Sequence, residues 1–171
     1  MTEPLAVDAQ GEQLLSFVAA DENQLDRPGE PPLTASLVVI HRGPDVLLVF
    51  DRWKQLWELP GGGREPGETP RLTATRELAE ESGVVDAELD FAGVSSYEFP
   101  GGRRERLAIY RAEITDDPVP RFVPNDEIAE IRWWQSADPA DIGPALDPLD
   151  AALISTVRRW MGYSSTTFRQ L

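Results

Sequence analysis

The chain has 171 residues, 41% of them apolar, which is enough for one domain with a proper hydrophobic core. It carries no cysteine, so disulfides, a thiolate metal centre and a cysteine nucleophile are all excluded. A formal net charge of −14 argues against electrostatic binding to nucleic acid or anionic lipid, both of which need clustered Lys and Arg, and means that a phosphate-bearing ligand would need a cation beside it.

In chain order, residues 1–33 read as a mixed lead-in, with a strand or helical turn over 14–20 and an irregular connector, RPGEPP, after it. Met1 to Ala20 bears acids rather than basic residues ahead of its short apolar patch, and no run approaches the ~20 apolar residues of a membrane span, so a cytoplasmic protein is expected. A single domain is expected over 34–171. It opens with two β-branched apolar runs, Leu37 to His41 and Val46 to Asp51, joined as a hairpin through RGPD. His41, the only histidine, sits in a strand just before a turn and reads as structural.

A helix follows over Pro70 to Ser82. Thr69 suits the N-cap, Pro70 the first helical position, and Gly83 the left-handed residue that closes it. Leu72, Thr75 and Ala79 are its least polar side and are expected to pack on a sheet. Three further strands are expected at Leu89 to Ser96, Arg106 to Glu113 and Ile128 to Trp134. A last helix starts at Asp147-Pro148, with Leu149, Ala152, Leu153, Thr156, Val157 and Trp160 along one apolar face.

The stretch from Gly62 to Val84 holds five carboxylates in 23 positions. Glu77, Glu80 and Glu81 are spaced i, i+3 and i+4, which at ~100° per residue places them on one side of the helix. Like charges so placed raise one another's pKa unless a cation sits among them. Oxygen-only ligands favour Mg2+, with Mn2+ also compatible. Arg76, four residues before Glu80, can pair with it and orient it. Ahead of the helix, Gly61, Gly62 and Gly63 let backbone approach a ligand closely, and Pro66-Gly67 is a turn that feeds Glu68 toward the helix start.

The same window fits GX5EX7REUXEEXGU, with U a bulky aliphatic residue, at Gly62, Glu68, Arg76, Glu77, Leu78, Glu80, Glu81, Gly83 and Val84. It therefore resembles the Nudix box at every fixed position, and Trp57-Glu58-Leu59-Pro60-Gly61 is similar to the segment that leads into it. The resemblance implies an α/β fold, the Nudix-type α/β/α sandwich with a mixed β-sheet between helices. It also implies a metal-dependent pyrophosphohydrolase acting on a nucleoside diphosphate derivative, and often a homodimer. Glu77, Glu80 and Glu81 would be metal ligands, with the Gly61 carbonyl as a further contact and Glu68 a weaker ligand or a support to the others. Family members place another acid before the last strand. Here that loop is PNDEIAEIRWW, and Glu127 is the choice for general base or second-metal ligand, ahead of Asp126 and Glu130. With Arg76, these form the expected catalytic set. The isopentenyl diphosphate isomerases share the fold but use a cysteine, which this chain lacks.

Substrate clues lie outside the box. Pro100 stands sixteen positions after Val84, and PGG followed by Glu105 resembles the pattern of ADP-ribose pyrophosphatases, although Phe99 replaces the usual serine. PGG equally reads as a plain hairpin turn. Arg52 and Arg104 are candidates for phosphate contacts, as are Arg103 and Arg106, and Trp53 and Phe99 for stacking on a base. Trp57, Trp133 and Trp134 read as core. Two alternatives stand beside the ADP-ribose or nucleotide-sugar reading. One is a MutT-like enzyme that cuts normal or oxidised nucleoside triphosphates to a monophosphate and pyrophosphate. The other is a non-catalytic nucleotide-sensing Nudix domain, whose known regulators carry a DNA-binding module.

Overall fold

The computed structural model describes residues 3–25, 27–135 and 146–160; the C-terminal end of the expected domain, from 161 on, lies outside the described residues. Among the described residues, nine strands and two α-helices follow one another as β1 (Ala6–Val7), β2 (Gln13–Val18), β3 (Leu33–Arg42), β4 (Asp45–Asp51), β5 (Leu56–Glu58), β6 (Gly61–Gly63), α1 (Pro70–Ser82), β7 (Asp90–Glu98), β8 (Arg104–Glu113), β9 (Ile128–Trp134) and α2 (Pro148–Trp160). One sheet runs β1-β2-β7-β8-β3-β4-β5, with β6 also on β3 and β9 also on β4. It is mixed: β3 and β8 pair in parallel from Leu33↔Arg106 to His41↔Glu113, and the other pairings are antiparallel.

Successive residues of a strand point to opposite faces, and in β3 and β4 both faces are apolar. Val38, Ile40, Leu47 and Val49 join Ala74 and Leu78 of α1 in one core cluster. Val39, Val46 and Leu48 join Leu149, Leu153, Ile154 and Val157 of α2 in the other. The sheet is thus covered by a helix on each side, the expected α/β/α sandwich. Trp57 and Trp134 are buried in the second cluster, and Trp133 packs against the first. The segment before residue 33 adds strands to the sheet edge: β2 pairs with β7, and Leu14 is fully buried. Arg106 then ties the following connector down, donating to the carbonyls of Leu25 (3.0 Å) and Pro31 (2.8 Å) and pairing with Glu30.

The helix caps form as their residues dictate. Thr69 Oγ1 accepts the Leu72 N–H at 3.2 Å, and Gly83, at φ 70°, sends its N–H back to the Ala79 carbonyl. The packed face of α1 differs from the expected one. Leu72 is 57% exposed and Thr75 exposed, while Thr73, Ala74, Leu78, Glu81 and Ser82 are buried. The helix has only two large aliphatic residues, about 120° apart, so its sequence barely prefers either side. The contacts of Ala74 and Leu78 with the sheet decide. In α2, Leu149, Leu153 and Val157 are buried as expected, but Ile154 and Asp150 are buried with them and Trp160 is 52% exposed.

These placements predict that Leu78→Ala costs about 2–5 kcal/mol of unfolding free energy, whereas Leu72→Ala changes it by no more than about 0.5 kcal/mol. Denaturant titration of the two variants would check the assignment, and a larger loss for Leu72→Ala would reverse it.

Candidate active site

β6 is the start of the site. Its three glycines pair with β3 as Ala35↔Gly63, Ser36↔Gly62 and Leu37↔Gly61. Gly61 adopts φ 155°, and a Cβ there would lie 2.3 Å from the Ser36 carbonyl oxygen, so no side chain fits. At Gly62 a Cβ would lie 2.5 Å from Glu77 Oε1, so the bare backbone leaves the Glu77 carboxylate its place beside the loop. Ser36 Oγ donates to the Pro70 carbonyl at 2.8 Å and fixes the helix start against β3.

Glu81 is 4% exposed, and its Oε2 accepts the Gly61 N–H at 2.8 Å. Burial pushes its carboxyl up to about 8 against that hydrogen bond, and Glu77, Glu58 and Glu127 add to the rise. Glu77 is raised too, mainly by burial, with Arg76 opposing. Glu80 has its side chain 61% exposed.

Arg76 is the hub of this helix surface. It pairs with Glu68 through Nε (2.8 Å) and Nη2 (3.0 Å), reaches Glu77 (2.8 Å) and Glu80 (3.2 Å) through Nη1, and donates to the Gly63 carbonyl at 3.0 Å. The expected pairing with Glu80 is therefore the longest of four carboxylate contacts. Glu68 also accepts from Thr73 Oγ1 and from the Glu65 N–H, and Arg76 above all holds its carboxyl down to about 2. Glu68 is thus committed to the loop and to Arg76.

Among the described residues, no three acidic or histidine side chains stand close enough together to enclose a cation as they are. The guanidinium of Arg76 lies between Glu77 and Glu80. The donors nonetheless suit a hard divalent ion. They are all oxygens, Glu81 is buried with a neutral amide as its hydrogen-bond donor, and Gly62 leaves room for the Glu77 carboxylate.

The loop with Glu127 is brought to the same end of α1. Asn125, to which no role could be given from sequence, holds it there. Its Nδ2 donates to the Glu80 carbonyl (3.0 Å), its Oδ1 accepts the N–H groups of Glu127 and Ile128, and its own carbonyl accepts Arg52 Nε at 2.8 Å. An Asn two residues ahead of a turn amide was its sequence signal. Glu127 is exposed, as are Asp126 and Glu130, and Glu130 pairs with Arg132.

The substrate candidates divide. Trp53 is 81% exposed on the β4–β5 turn, whose amides are capped by Asp51. Arg52 is on that turn but is engaged by Asn125. Phe99, Pro100, Gly101 and Gly102 make the β7–β8 turn, where Gly102 N–H bonds to the Phe99 carbonyl. Arg103 lies over the Phe99 ring at 4.2 Å and pairs with Glu105, which also accepts from Thr34 Oγ1 at 2.6 Å. Arg104 is spent on Glu98 across the hairpin, and Arg106 on the connector. His41 is buried near the end of β3, about 13 Å along the strand from Leu37 opposite Gly61, with its pKa lowered by burial.

A family model described as NUDIX domain matches residues 31–158. The chain belongs to the NUDIX family. Within that family it is 30% identical over 117 residues to a Mycobacterium tuberculosis protein named putative 8-oxo-dGTP diphosphatase 3, covering 68% of this chain and 52% of that one. The NUDIX chain thus spans about half the length of that curated relative. Among solved structures, the Bacillus subtilis pyrophosphohydrolase BsRppH superposes with a TM-score of 0.67 at 17% identity over 94% of this chain and 96% of that one. The NUDIX domain of Shewanella oneidensis NrtR complexed with ADP ribose superposes with a TM-score of 0.59 at 20% identity, over 80% and 94% respectively. At these identities the superpositions establish the fold.

In the metal-free protein, Glu81 binds its proton more tightly folded than unfolded, where its pKa is near 4.5. The native state therefore holds more protons between about pH 5 and pH 8, and stability falls as pH rises through that window. Glu58, pushed up to about 7, and Asp150, also raised, contribute with the same sign. Thermal melts in EDTA should show Tm dropping from pH 5.5 to pH 8. Glu81→Gln should shrink that drop, and a pH-independent Tm would refute the burial argument.

Proposed function

We propose that this chain is a metal-dependent pyrophosphohydrolase that hydrolyses the diphosphate linkage of a nucleoside diphosphate derivative. The observation that carries this reading is the buried Glu81 carboxylate on a helix that also presents Glu77 and Glu80, its hydrogen-bond donor among the described residues being the neutral Gly61 amide. A buried, uncompensated carboxylate at neutral pH is costly and calls for a cation. Mg2+, or Mn2+ in its place, would be held by Glu77, Glu80 and Glu81 with the Gly61 carbonyl, and would polarise the phosphoryl oxygens of the substrate.

The protein groups do the rest. Arg76 keeps Glu77 and Glu80 from dispersing and anchors Glu68 to the loop. Glu127, presented by the Asn125 clamp, takes the proton from the attacking water as its oxygen adds to one phosphorus and the bridging P–O bond breaks. Both products leave as phosphate monoesters, and the net charge of −14 favours their departure. Trp53, 81% exposed on the turn hydrogen-bonded to this loop, would stack on an aromatic part of the substrate.

ADP-ribose or a nucleotide sugar is supported by Pro100 and by Glu105, whose partner Thr34 adjoins the β3 segment paired with β6. The MutT-like alternative, hydrolysis of a normal or oxidised nucleoside triphosphate, is favoured by one observation: Phe99 to Arg103 closes as an ordinary hairpin turn, which is reason enough for PGG. Its likeness to the mycobacterial protein points the same way. A non-catalytic sensor is disfavoured by the intact box.

Product-resolved hydrolysis with Mg2+ separates these. AMP plus ribose 5-phosphate from ADP-ribose supports the first; a monophosphate plus pyrophosphate from a triphosphate supports the second. Glu80→Gln should lower kcat by about 10²-fold or more with an unchanged melting curve in EDTA. Full activity in that variant would remove Glu80 from the metal site.

A further inference from the structure

Both backbone groups of Glu127 are held by other residues. Its N–H donates to Asn125 Oδ1 at 2.9 Å, and its carbonyl accepts the Arg52 N–H at 2.8 Å. Arg52 adds a second tie from its side chain, with Nε donating to the Asn125 carbonyl at 2.8 Å. Asn125 completes the joint: its N–H reaches the Ile128 carbonyl and its Nδ2 the Glu80 carbonyl, each at 3.0 Å. The β4–β5 turn, the loop before β9 and the last turn of α1 thus meet at two side chains.

The turn that supplies Arg52 is itself firmly closed. Asp51, 5% exposed, accepts the Trp53 and Lys54 N–H groups at 2.6 and 2.9 Å, and Gln55 returns its N–H to the Asp51 carbonyl. Gln55 does so at φ 57°, in the left-handed region where a residue other than glycine is strained, and its Nε2 donates to the Arg52 carbonyl at 2.7 Å. Next to the joint, β4 and β9 shift register: Phe50 faces Glu130 but Asp51 faces Ile128, so the pairing steps over Ala129. An extra residue of this kind bends a strand and re-aims its end, which here carries Glu127.

Glu127 needs such a hold. Burial is the main reason that the Glu77 and Glu81 carboxyls are raised, and the charge of Glu127 adds to it, so in the metal-free protein this acid is repelled by the ones it works beside. Glu127 is also exposed, and packing does not fix it.

We propose that Arg52 is a positioning residue, which holds Glu127 against the end of α1 by donating Nε to the Asn125 carbonyl, and that it does not serve as a cation for the substrate's phosphates. The inference rests on the hydrolase reading above, in which Glu127 takes the proton from the attacking water. An exposed arginine near a phosphate-cleaving site ordinarily suggests an ion pair with substrate. In this chain Nε is instead directed at a backbone carbonyl 73 residues away, on the loop that carries the acid. The two roles ask for different things of the side chain. A phosphate contact needs the charge, whereas the tie needs one N–H at the place of Nε.

Substitutions at position 52 separate charge from donor. Gln carries its Nε2 as many bonds from the backbone as Arg carries Nε, so Arg52→Gln keeps a donor and loses the charge. Arg52→Lys keeps the charge on a nitrogen one bond further out, and Arg52→Met loses both. Arg52 is exposed and its backbone N–H survives in all three, so each should fold. With Mg2+ and either ADP-ribose or dGTP, Arg52→Met should lower kcat by about tenfold or more while KM changes by less than about threefold, the mark of a displaced base rather than of lost binding. Arg52→Gln should recover most of that loss, and Arg52→Lys less. Deuterium exchange reads the tie without turnover. The Glu127 and Ile128 N–H groups, both on Asn125 Oδ1, should exchange faster in Arg52→Met than in the wild type or Arg52→Gln. Asn125→Ala, which removes their acceptor, sets the upper limit. Wild-type turnover in Arg52→Lys with KM raised alike in Arg52→Gln and Arg52→Met, or equal exchange across the series, would overturn the proposal. So would full activity in Glu127→Gln, which would leave no base to position. Failure of the wild type to hydrolyse any nucleotide would sink the hydrolase reading, while faster exchange in Arg52→Met alone would still uphold the tie.

Discussion

The site depends on one close approach, that of the glycine strand β6 to helix α1. A side chain at Gly61 would strike β3, and one at Gly62 would strike Glu77. With both absent, the loop lies against the helix and the Gly61 N–H reaches the buried carboxylate of Glu81. Everything chemical follows from that contact, because it buries an acid that water would otherwise solvate and directs it at the backbone turn. The cost of that burial is the raised pKa of Glu81.

The rest of the architecture holds the two partners in place from opposite faces of the sheet. On one face, Ala74 and Leu78 seat α1 on Val38, Ile40, Leu47 and Val49. On the other, the first turn of α2 grips the β5 segment through Asp147 and Asp150 just before the chain enters the glycine loop. The loop is therefore pinned between a helix that supplies acids and a helix that fixes its entry. Arg76 then distributes one positive charge over Glu68, Glu77 and Glu80, which keeps like charges on adjacent turns compatible with a stable helix.

How much of this was readable before folding differs from element to element. The caps of α1, the five central strand segments and α2 were legible because each is a local decision: a hydroxyl at an N-cap, a left-handed glycine, a period of two or of 3.6. The packed side of α1 was not. With one leucine on each side and acids on most of the others, the helix had no strong apolar stripe, and the choice of Leu78 over Leu72 came from β3 and β4. The burial of Asp150 was not legible for a related reason. An acid at the start of a helix looks solvated, and only the Leu59 amide, 91 residues away, makes its burial acceptable. Asn125 had no role legible in the sequence either, since Glu80 and Arg52, which it joins, are distant from it along the chain.

The sequence by itself determined the family, the α/β/α layering and the set of acids, because a spacing of i, i+3 and i+4 on a capped helix leaves little freedom in where side chains can go. Tertiary structure alone decided which of those acids is buried, which is held by Arg76 and which is open to solvent. It also decided that the β4–β5 turn and the loop before β9 would meet at the last turn of α1. These are matters of desolvation and of contacts between distant segments, and neither is written in local spacing.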